Sequence, residues 1–308
     1  MRPFRFAVHT GRLEPPDDWA AFARRVEELG YDALYVTDHL GAQLAPIAAM
    51  AAAAAATRRL RIGAYVFAND FRHPLVLARE AATLDRLSGG RLELGLGAGW
   101  MRSDYRQLGR PYDPPARRID RLEEALSVVI RLLRGEVVTH RGPHYRLEDA
   151  RVGPLPVQLP HPPIMLGGGG PRLLRLAARH AQIVGLAPQM SASGRPMLRL
   201  ATDAAFEERA ALVRRAAGDR WESLELNAFV ADAGIVGGSQ PIGSSLAALV
   251  KSAGPALAGG SPYVLYGSVA QLRESLLKRR ARTGLSSYGL PADAMEAFAP
   301  LIAELAGH

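Results

Sequence analysis

The stretch that decides the fold is Ser88-Gly-Gly-Arg-Leu-Glu-Leu-Gly-Leu-Gly-Ala-Gly-Trp100. Ser88-Gly89-Gly90 punctuates the end of a helical run, and Arg91 to Leu96 is a short apolar run of strand length. Gly95, Gly97 and Gly99 then occupy every second position as the strand ends. Glycine is poor strand material, so an alternating series predicts that something approaches the backbone closely there. Trp100 follows at once. The plainer reading is a tight strand-to-helix turn with a core tryptophan, but three alternating glycines exceed what a turn requires.

Working outward, strands and helices alternate. Phe4 to His9 reads as a strand, and Pro15-Pro-Asp-Asp18 opens a helix running from about Asp17 to Leu29 with Trp19, Phe22, Val26 and Leu29 as its apolar stripe. Ala33 to Val36 is a second strand, Pro46 to Thr57 a helix, Leu60 to Phe67 a third strand, and Pro74 to Leu87 a helix with proline at its start. Beyond the glycine stretch, Pro114 to Arg134 is a long amphipathic helix. Ile164 to Leu166 and Ile183 to Leu186 read as strands around a helix from Pro171 to His180. Thr202 to Ala217 is helical, Ser223 to Val230 a strand, Pro262 to Tyr266 the last strand, and Val269 to Thr283 and Pro291 to Leu305 the last helices. Two irregular excursions, about 136–163 and 231–261, interrupt the alternation, the first with the look of a hairpin. Alternating strands and helices imply a parallel sheet. Eight units in 308 residues without a splitting linker predict one domain, a closed (β/α)8 TIM barrel with insertions. An open Rossmann-like sheet is the competitor, and it lacks a glycine fingerprint after the first strand.

Composition narrows the function. There is no cysteine, which excludes disulfides, thiolate metal sites and a cysteine nucleophile. The net charge is +8, and nearly all basic residues are arginine, with lysine only at Lys251 and Lys278. The arginines are spread at ordinary helical surface spacing without aromatic interleaving, so nucleic acid is not expected, whereas an anionic small ligand is. The start lacks a secretory apolar region, and Ala45 to Ala56 is too short to cross a bilayer, so no membrane partner and a cytoplasmic location are expected.

In a barrel the carboxyl ends of the strands form the active face. That rule collects His9, Asp38-His39, Tyr65 to Asn69, Gly97 to Trp100, Gly167 to Arg172 and Leu186 to Gln189. Gly167-Gly-Gly-Gly-Pro-Arg172 is the sharpest anion signal, since glycines running into a helix expose N–H groups where the helix dipole favours a phosphate, and Arg172 adds a donor fork. A merely flexible turn is the bland alternative. Asp38-His39 has no third ligand at metal spacing, so a base or a hydrogen-bond donor to a bound ring is expected there, and no metal. A hydrolase elbow, a zincin motif and a Walker loop are all missing. A phosphate grip, a glycine floor and an aromatic wall suit a large flat phosphorylated cofactor.

Those same residues carry a resemblance. Tyr35-Val-Thr-Asp-His39, Arg61-Ile-Gly-Ala-Tyr-Val66 with Arg72-His-Pro74, Leu87-Ser-Gly-Gly-Arg-Leu92, Gly95-Leu-Gly-Ala-Gly-Trp100, Tyr105-Arg-Gln-Leu-Gly109, Arg118-Ile-Asp-Arg-Leu-Glu-Glu-Ala125, Pro162 to Arg172 and Met295-Glu-Ala-Phe-Ala-Pro300 occur in family order. The chain resembles the luciferase-like monooxygenase superfamily and, within it, the coenzyme F420-dependent oxidoreductases. The resemblance implies a luciferase-like barrel, a homodimer, and F420, or alternatively FMN, at the strand ends. It also implies a non-proline cis peptide at Tyr65-Val66 behind the ring, and Asp38 and His39 beside it. The residues expected to hold the cofactor are Asp38, His39, Tyr65, Val66, Ala68, Gly97, Ala98, Gly99, Gly167, Gly168, Gly169, Gly170, Pro171, Arg172 and Ala187, with His39 and Trp100 at the chemistry. Two departures stand out. Some F420-dependent sugar-phosphate dehydrogenases carry a glutamate where this chain has Trp100, and the lysine some relatives set on the phosphate is absent from Ala187-Pro-Gln189. The expected activity is hydride transfer between F420 and a small organic substrate. The alternatives are an FMN-dependent two-component monooxygenase and a non-catalytic flavin- or anion-binding barrel.

Overall fold

The glycine-punctuated strand is the fourth of eight parallel strands that close on themselves in a computed structural model, which describes residues 1–11, 14–189, 197, 200–235 and 260–308. The strands are β1 (Arg5–His9), β2 (Ala33–Val36), β3 (Arg61–Ala64), β4 (Leu92–Gly97), β5 (Ile164–Gly168), β6 (Ile183–Leu186), β7 (Glu225–Phe229) and β8 (Leu285–Pro291). Each pairs in parallel with its neighbour, and the β1–β8 register Arg5↔Ser287 to His9↔Pro291 seals the barrel. Among the described residues, eight helices cover the outside: α1 (Trp19–Glu28), α2 (Pro46–Ala56), α3 (Pro74–Leu87), α4 (Pro115–Leu133), α5 (Pro171–His180), α6 (Asp203–Ala217), α7 (Val269–Thr283) and α8 (Met295–Leu305). Local chemistry sets their ends. The Asp18 side chain accepts from the Ala21 N–H to start α1, and Ser268 and Gln271 form a capping box on α7. Gly284 ends α7 in the left-handed region at φ 79°.

Two expectations are corrected. Pro262 to Tyr266 is not the final barrel strand. Val264–Gly267 instead pairs in parallel with Asp232–Ile235 in a separate two-stranded sheet. The eighth strand is Leu285–Pro291, whose seven residues are all buried, so Ser286, Ser287 and Gly289 dilute an apolar run that has no polar face to alternate against. The third strand is not one run from Leu60 to Phe67. It breaks after Ala64 and resumes at Phe67–Ala68, which pairs with Leu96 and Gly97 of β4. Within the first excursion, Val138–Arg141 and Arg146–Ala150 form an antiparallel hairpin. Most of the second, 236–259, lies outside the described residues.

The barrel interior is layered. Arg5 of β1 reaches across the lumen to Glu93 of β4 at 2.8 Å and to Glu225 of β7 at 2.9 Å, and Arg61 meets Glu93 at 2.6 Å. The Tyr35 hydroxyl also donates to Glu93. Above this ionic plug, Ala7, Ala33, Tyr35, Met165 and Ile183 pack with Tyr65 and Val66, so the interior is filled and function is left to the mouth. Burial by itself would raise the Glu93 pKa, but the Arg5 and Arg61 guanidiniums and the Tyr35 hydroxyl outweigh it and hold the carboxyl below its usual range. A depressed folded-state pKa stabilises above the unfolded value of about 4.3 and loses that contribution as pH falls through the lower folded value. Thermal unfolding followed below about pH 5 is therefore expected to show falling stability, with a shallower acid slope for Glu93→Gln; identical slopes would contradict it.

Candidate active site at the barrel mouth

Asp38, just past β2, is buried and committed to the scaffold. It pairs with Arg72 at 2.7 and 3.1 Å and accepts from the Ala68 backbone N–H at 3.0 Å, tying the end of β2 to the chain beyond β3. His39, the next residue, points the other way. Its Nδ1 lies 2.7 Å from Oδ2 of Asp104, a buried residue in the short helix Arg102–Gln107, whose other oxygen accepts from the Leu40 N–H at 3.3 Å. An ionised carboxylate only accepts, so Nδ1 carries the proton and Nε2 is left as the nitrogen open to a ligand. Trp100 meets the His39 ring edge-on, with centroids 5.4 Å apart, and stands 39% exposed at the rim.

The Tyr65–Val66 peptide bond is cis. Both side chains are half-buried at the mouth. Tyr65 stacks on Tyr35 at 5.0 Å and lies within 5.8 Å of His9 and 5.5 Å of Phe229, its hydroxyl donating to Asn227. Burial pushes that phenol far up, so it stays a donor. His9 stacks on Phe229 at 4.4 Å; its Nδ1 accepts from the Gly11 N–H, and Nε2 donates to the Val230 carbonyl. Tyr65 is thus packed among the rings of Tyr35, His9 and Phe229.

The alternating glycines make room for protein. A Cβ on Gly95 would overlap the Ala64 carbonyl oxygen, one on Gly97 would come within 2.6 Å of Val66, and one on Gly167 within 3.0 Å of the same side chain. Gly99 has φ 73°, and a Cβ there would overlap the Tyr105 hydroxyl. Close approach is therefore real, but the approaching body is the Tyr65–Val66 bulge and its neighbours. The Ala98 carbonyl accepts from Tyr105 at 3.3 Å and from Arg118 at 3.2 Å, Arg118 also holds the Gly99 carbonyl, and Tyr112 donates to the Trp100 carbonyl at 2.8 Å, so this loop is pinned.

At the end of β5, Gly167 to Gly170 are half-buried and Gly170 is the N-cap of α5, with no side chain capping it. The first N–H groups of α5 are thus offered to an anion. A Cβ on Gly169 would come 2.6 Å from the Ala187 carbonyl, and the Ala187 N–H donates to the Gly168 carbonyl at 3.2 Å, so the β5 and β6 loops brace each other. Arg172 does not turn to this cradle. Its guanidinium donates to Asp120 and, at 3.1 Å, to the Ala116 carbonyl, both on α4. Such an exposed pair is worth about 0–1 kcal/mol, so Arg172→Ala is expected to leave thermal stability nearly unchanged and cofactor affinity within about threefold by titration.

Asp104 was not legible. It sits four residues after Trp100 but 65 residues from His39 in sequence, and no local pattern joins the two. Among the described residues no cluster of histidines and carboxylates could hold a metal ion, and no helix is long and apolar enough to cross a membrane.

A family model described as luciferase-like monooxygenase matches residues 1–233. The chain belongs to that family. An F420-dependent glucose-6-phosphate dehydrogenase of Microbacterium testaceum is 35% identical to this luciferase-like protein over 189 residues, 58% of this chain and 55% of that one. The 4-hydroxyprotoasukamycin monooxygenase of Streptomyces nodosus subsp. asukaensis is 40% identical over 135 residues, 42% of this chain and 36% of its own. The luciferase-like chain thus spans about half, or less, of the curated relatives it matches. Its fold is that of the coenzyme F420-dependent tetrahydromethanopterin reductase from Methanopyrus kandleri, with TM-score 0.73 and 18% identity over 96% of this chain and 97% of that one.

Proposed function

We propose that this protein is an oxidoreductase that transfers a hydride between coenzyme F420 and a small organic substrate. The observation that carries it is the His39–Asp104 pair, which engages Nδ1 of His39 and leaves Nε2 for a ligand at the carboxyl end of β2, with Trp100 edge-on to the ring. The residues present fit the cofactor: the backbone N–H of Gly170 and those of Arg172 and Leu173 beyond Pro171 would receive its phosphate, and the Tyr65–Val66 bulge and the Ala98 loop would bear its ring. Bound there, the deazaflavin supplies the site that accepts or gives the hydride. The protein's part is acid–base and positional. Nε2 of His39 takes a proton from a substrate hydroxyl as its carbon loses hydride, or returns it in the other direction. Trp100 walls the substrate from solvent.

Relatives named glucose-6-phosphate dehydrogenases support F420. The tryptophan at 100, where some F420-dependent sugar-phosphate dehydrogenases carry a glutamate, speaks against that chemistry, so the proposed substrates are uncharged alcohols or carbonyl compounds. A homodimer is part of this reading. Helix α2 presents Ala48, Ala52 and Ala55 to solvent, an uncharged face suited to a second copy, and sedimentation at twice the chain mass would agree while a monomer would not.

The test is anaerobic turnover. Bleaching of oxidised F420 with members of an alcohol panel, or its return from reduced cofactor with carbonyl compounds, is expected. Turnover that requires FMN and oxygen would instead make the protein a flavin monooxygenase, as the 40%-identical relative is named. F420 bound without any turnover would leave a carrier.

A further inference from the structure

The helix that carries Asp104 is short, Arg102–Gln107, and its N-cap residue, Met101, gives it no side-chain hydrogen bond. A helix of so few turns does not set its own orientation, so contacts to the rest of the fold decide where Asp104 points. Those contacts belong to the next residue. Tyr105 is buried, its ring edge-on to Tyr112 at 5.0 Å and to Phe71 at 6.1 Å. Its hydroxyl donates to Oδ2 of Asp70 at 2.8 Å, and burial, with that carboxylate alongside, pushes the phenol up so that it stays a donor. Asp70 is 2% exposed and is fixed in turn by Arg121 on α4, two of whose nitrogens donate to its two oxygens, each at 2.7 Å. That bidentate fork leaves the carboxylate no freedom to turn. Consecutive helical residues lie about 100° apart around the axis, so fixing Tyr105 fixes the direction of Asp104.

Asp70 belongs to the segment Ala68–Arg72, and the same segment holds the other half of the pair. The Ala68 N–H and the Arg72 guanidinium both donate to Asp38, the residue before His39. Each member of the His39–Asp104 pair thus has a sequence neighbour tied to one short stretch of chain. We propose that this stretch is the mount that sets the 2.7 Å contact between them, with Asp70 and Tyr105 as positioning residues for His39. The assignment rests on the acid–base role given to His39 in the proposed function. A hydrogen bond to a charged acceptor is worth about tenfold or more in an equilibrium. Without the Tyr105 hydroxyl, the short helix therefore populates orientations in which Asp104 leaves Nδ1. The Ala98 carbonyl, which Tyr105 also reaches, keeps its bond from Arg118 at 3.2 Å, so the loop beside it stays in place.

Removing the Asp70 charge would strand the buried guanidinium of Arg121 and endanger folding, so the test uses Tyr105→Phe, which keeps the ring, in the wild-type and Asp104→Asn backgrounds. In the wild type it is expected to lower kcat roughly tenfold, with KM and F420 affinity within about threefold. In the Asp104→Asn background it should change turnover by less than about twofold, because the contact it serves is already lost. Nitrogen NMR of histidine-labelled protein, with the His39 signals assigned by His39→Ala, reads the same contact without activity. One tautomer with the proton on Nδ1 is expected in the wild type and a mixture in Tyr105→Phe. A purely structural tyrosine would lower Tm and depress turnover by the same factor in both backgrounds. That result, or a Tyr105→Phe protein with unchanged kcat and unchanged tautomer, overturns the positioning assignment alone. Asp104→Asn turning over within threefold of wild type overturns the role of the pair, and this assignment with it.

Discussion

Replacing Asp104 with asparagine is expected to lower turnover by roughly 10²- to 10⁴-fold, the span of a correctly placed acid–base group. The carboxylate accepts the Nδ1 proton of His39 and the Leu40 N–H, and asparagine keeps the shape but turns an N–H toward Nδ1. The imidazole then holds its proton on Nε2, the nitrogen that has to receive one. Asp104 touches neither the α5 N-terminus nor the Tyr65–Val66 bulge in its hydrogen bonds, so F420 affinity should change by less than about threefold. His39→Ala should cost a similar factor, and the double variant scarcely more than either single one, because the pair acts as a unit. Steady-state turnover with separate cofactor titrations checks all three. A D104N protein that binds F420 normally and turns over within threefold of wild type would remove the pair from the chemistry.

The second large effect falls on stability. Gly95→Ala puts a methyl group onto the Ala64 carbonyl oxygen, a backbone atom of the adjacent strand, with Val66 Cγ1 3.2 Å away on the other side. The carbonyl cannot swing aside, since β3 is held to β4 by the Ile62↔Leu92 and Gly63↔Glu93 pairing. Overpacking of a buried strand costs about 1–3 kcal/mol where side chains can give and more where they cannot, so a loss of at least about 3 kcal/mol is expected. At about 2–4 °C per kcal/mol for large domains, that is a drop in Tm on the order of 10 °C, or failure to accumulate folded protein. Gly170→Ala is the control: its Cβ meets nothing within 4 Å. Its Tm should stay within about 2 °C of wild type, and equal Tm values for the two variants would show that the glycine series is not a packing device.

The contrast between these two sites shows what the chain reveals by reading alone. Pro74–Leu87 and Pro171–His180 are legible to the residue, because proline fixes φ and needs no N–H partner in a first turn, whereas the helix expected from Pro291 begins at Met295, since Pro291 closes β8. The barrel followed from counting strand–helix units, yet the count reached eight through Pro262 to Tyr266, an apolar run that pairs outside the barrel with Asp232–Ile235. The true β8, with Ser286, Ser287 and Gly289 buried on every side, has no periodicity to read. Close approach at Gly95 and Gly97 was legible, but what approaches was not, since the bulge comes from a strand about 30 residues earlier. The His39–Asp104 pair is half legible: His39 follows a strand, whereas Asp104 looks like any acid in a polar helix until the fold sets it 2.7 Å from Nδ1.

A fluorescence titration of the purified protein with oxidised F420 and, separately, oxidised FMN identifies its cofactor. Micromolar or tighter binding of F420 with negligible binding of FMN is the predicted result, and it would direct substrate screening to anaerobic hydride transfer. Tight FMN binding with none of F420 would contradict F420 as the cofactor and make oxygen a cosubstrate.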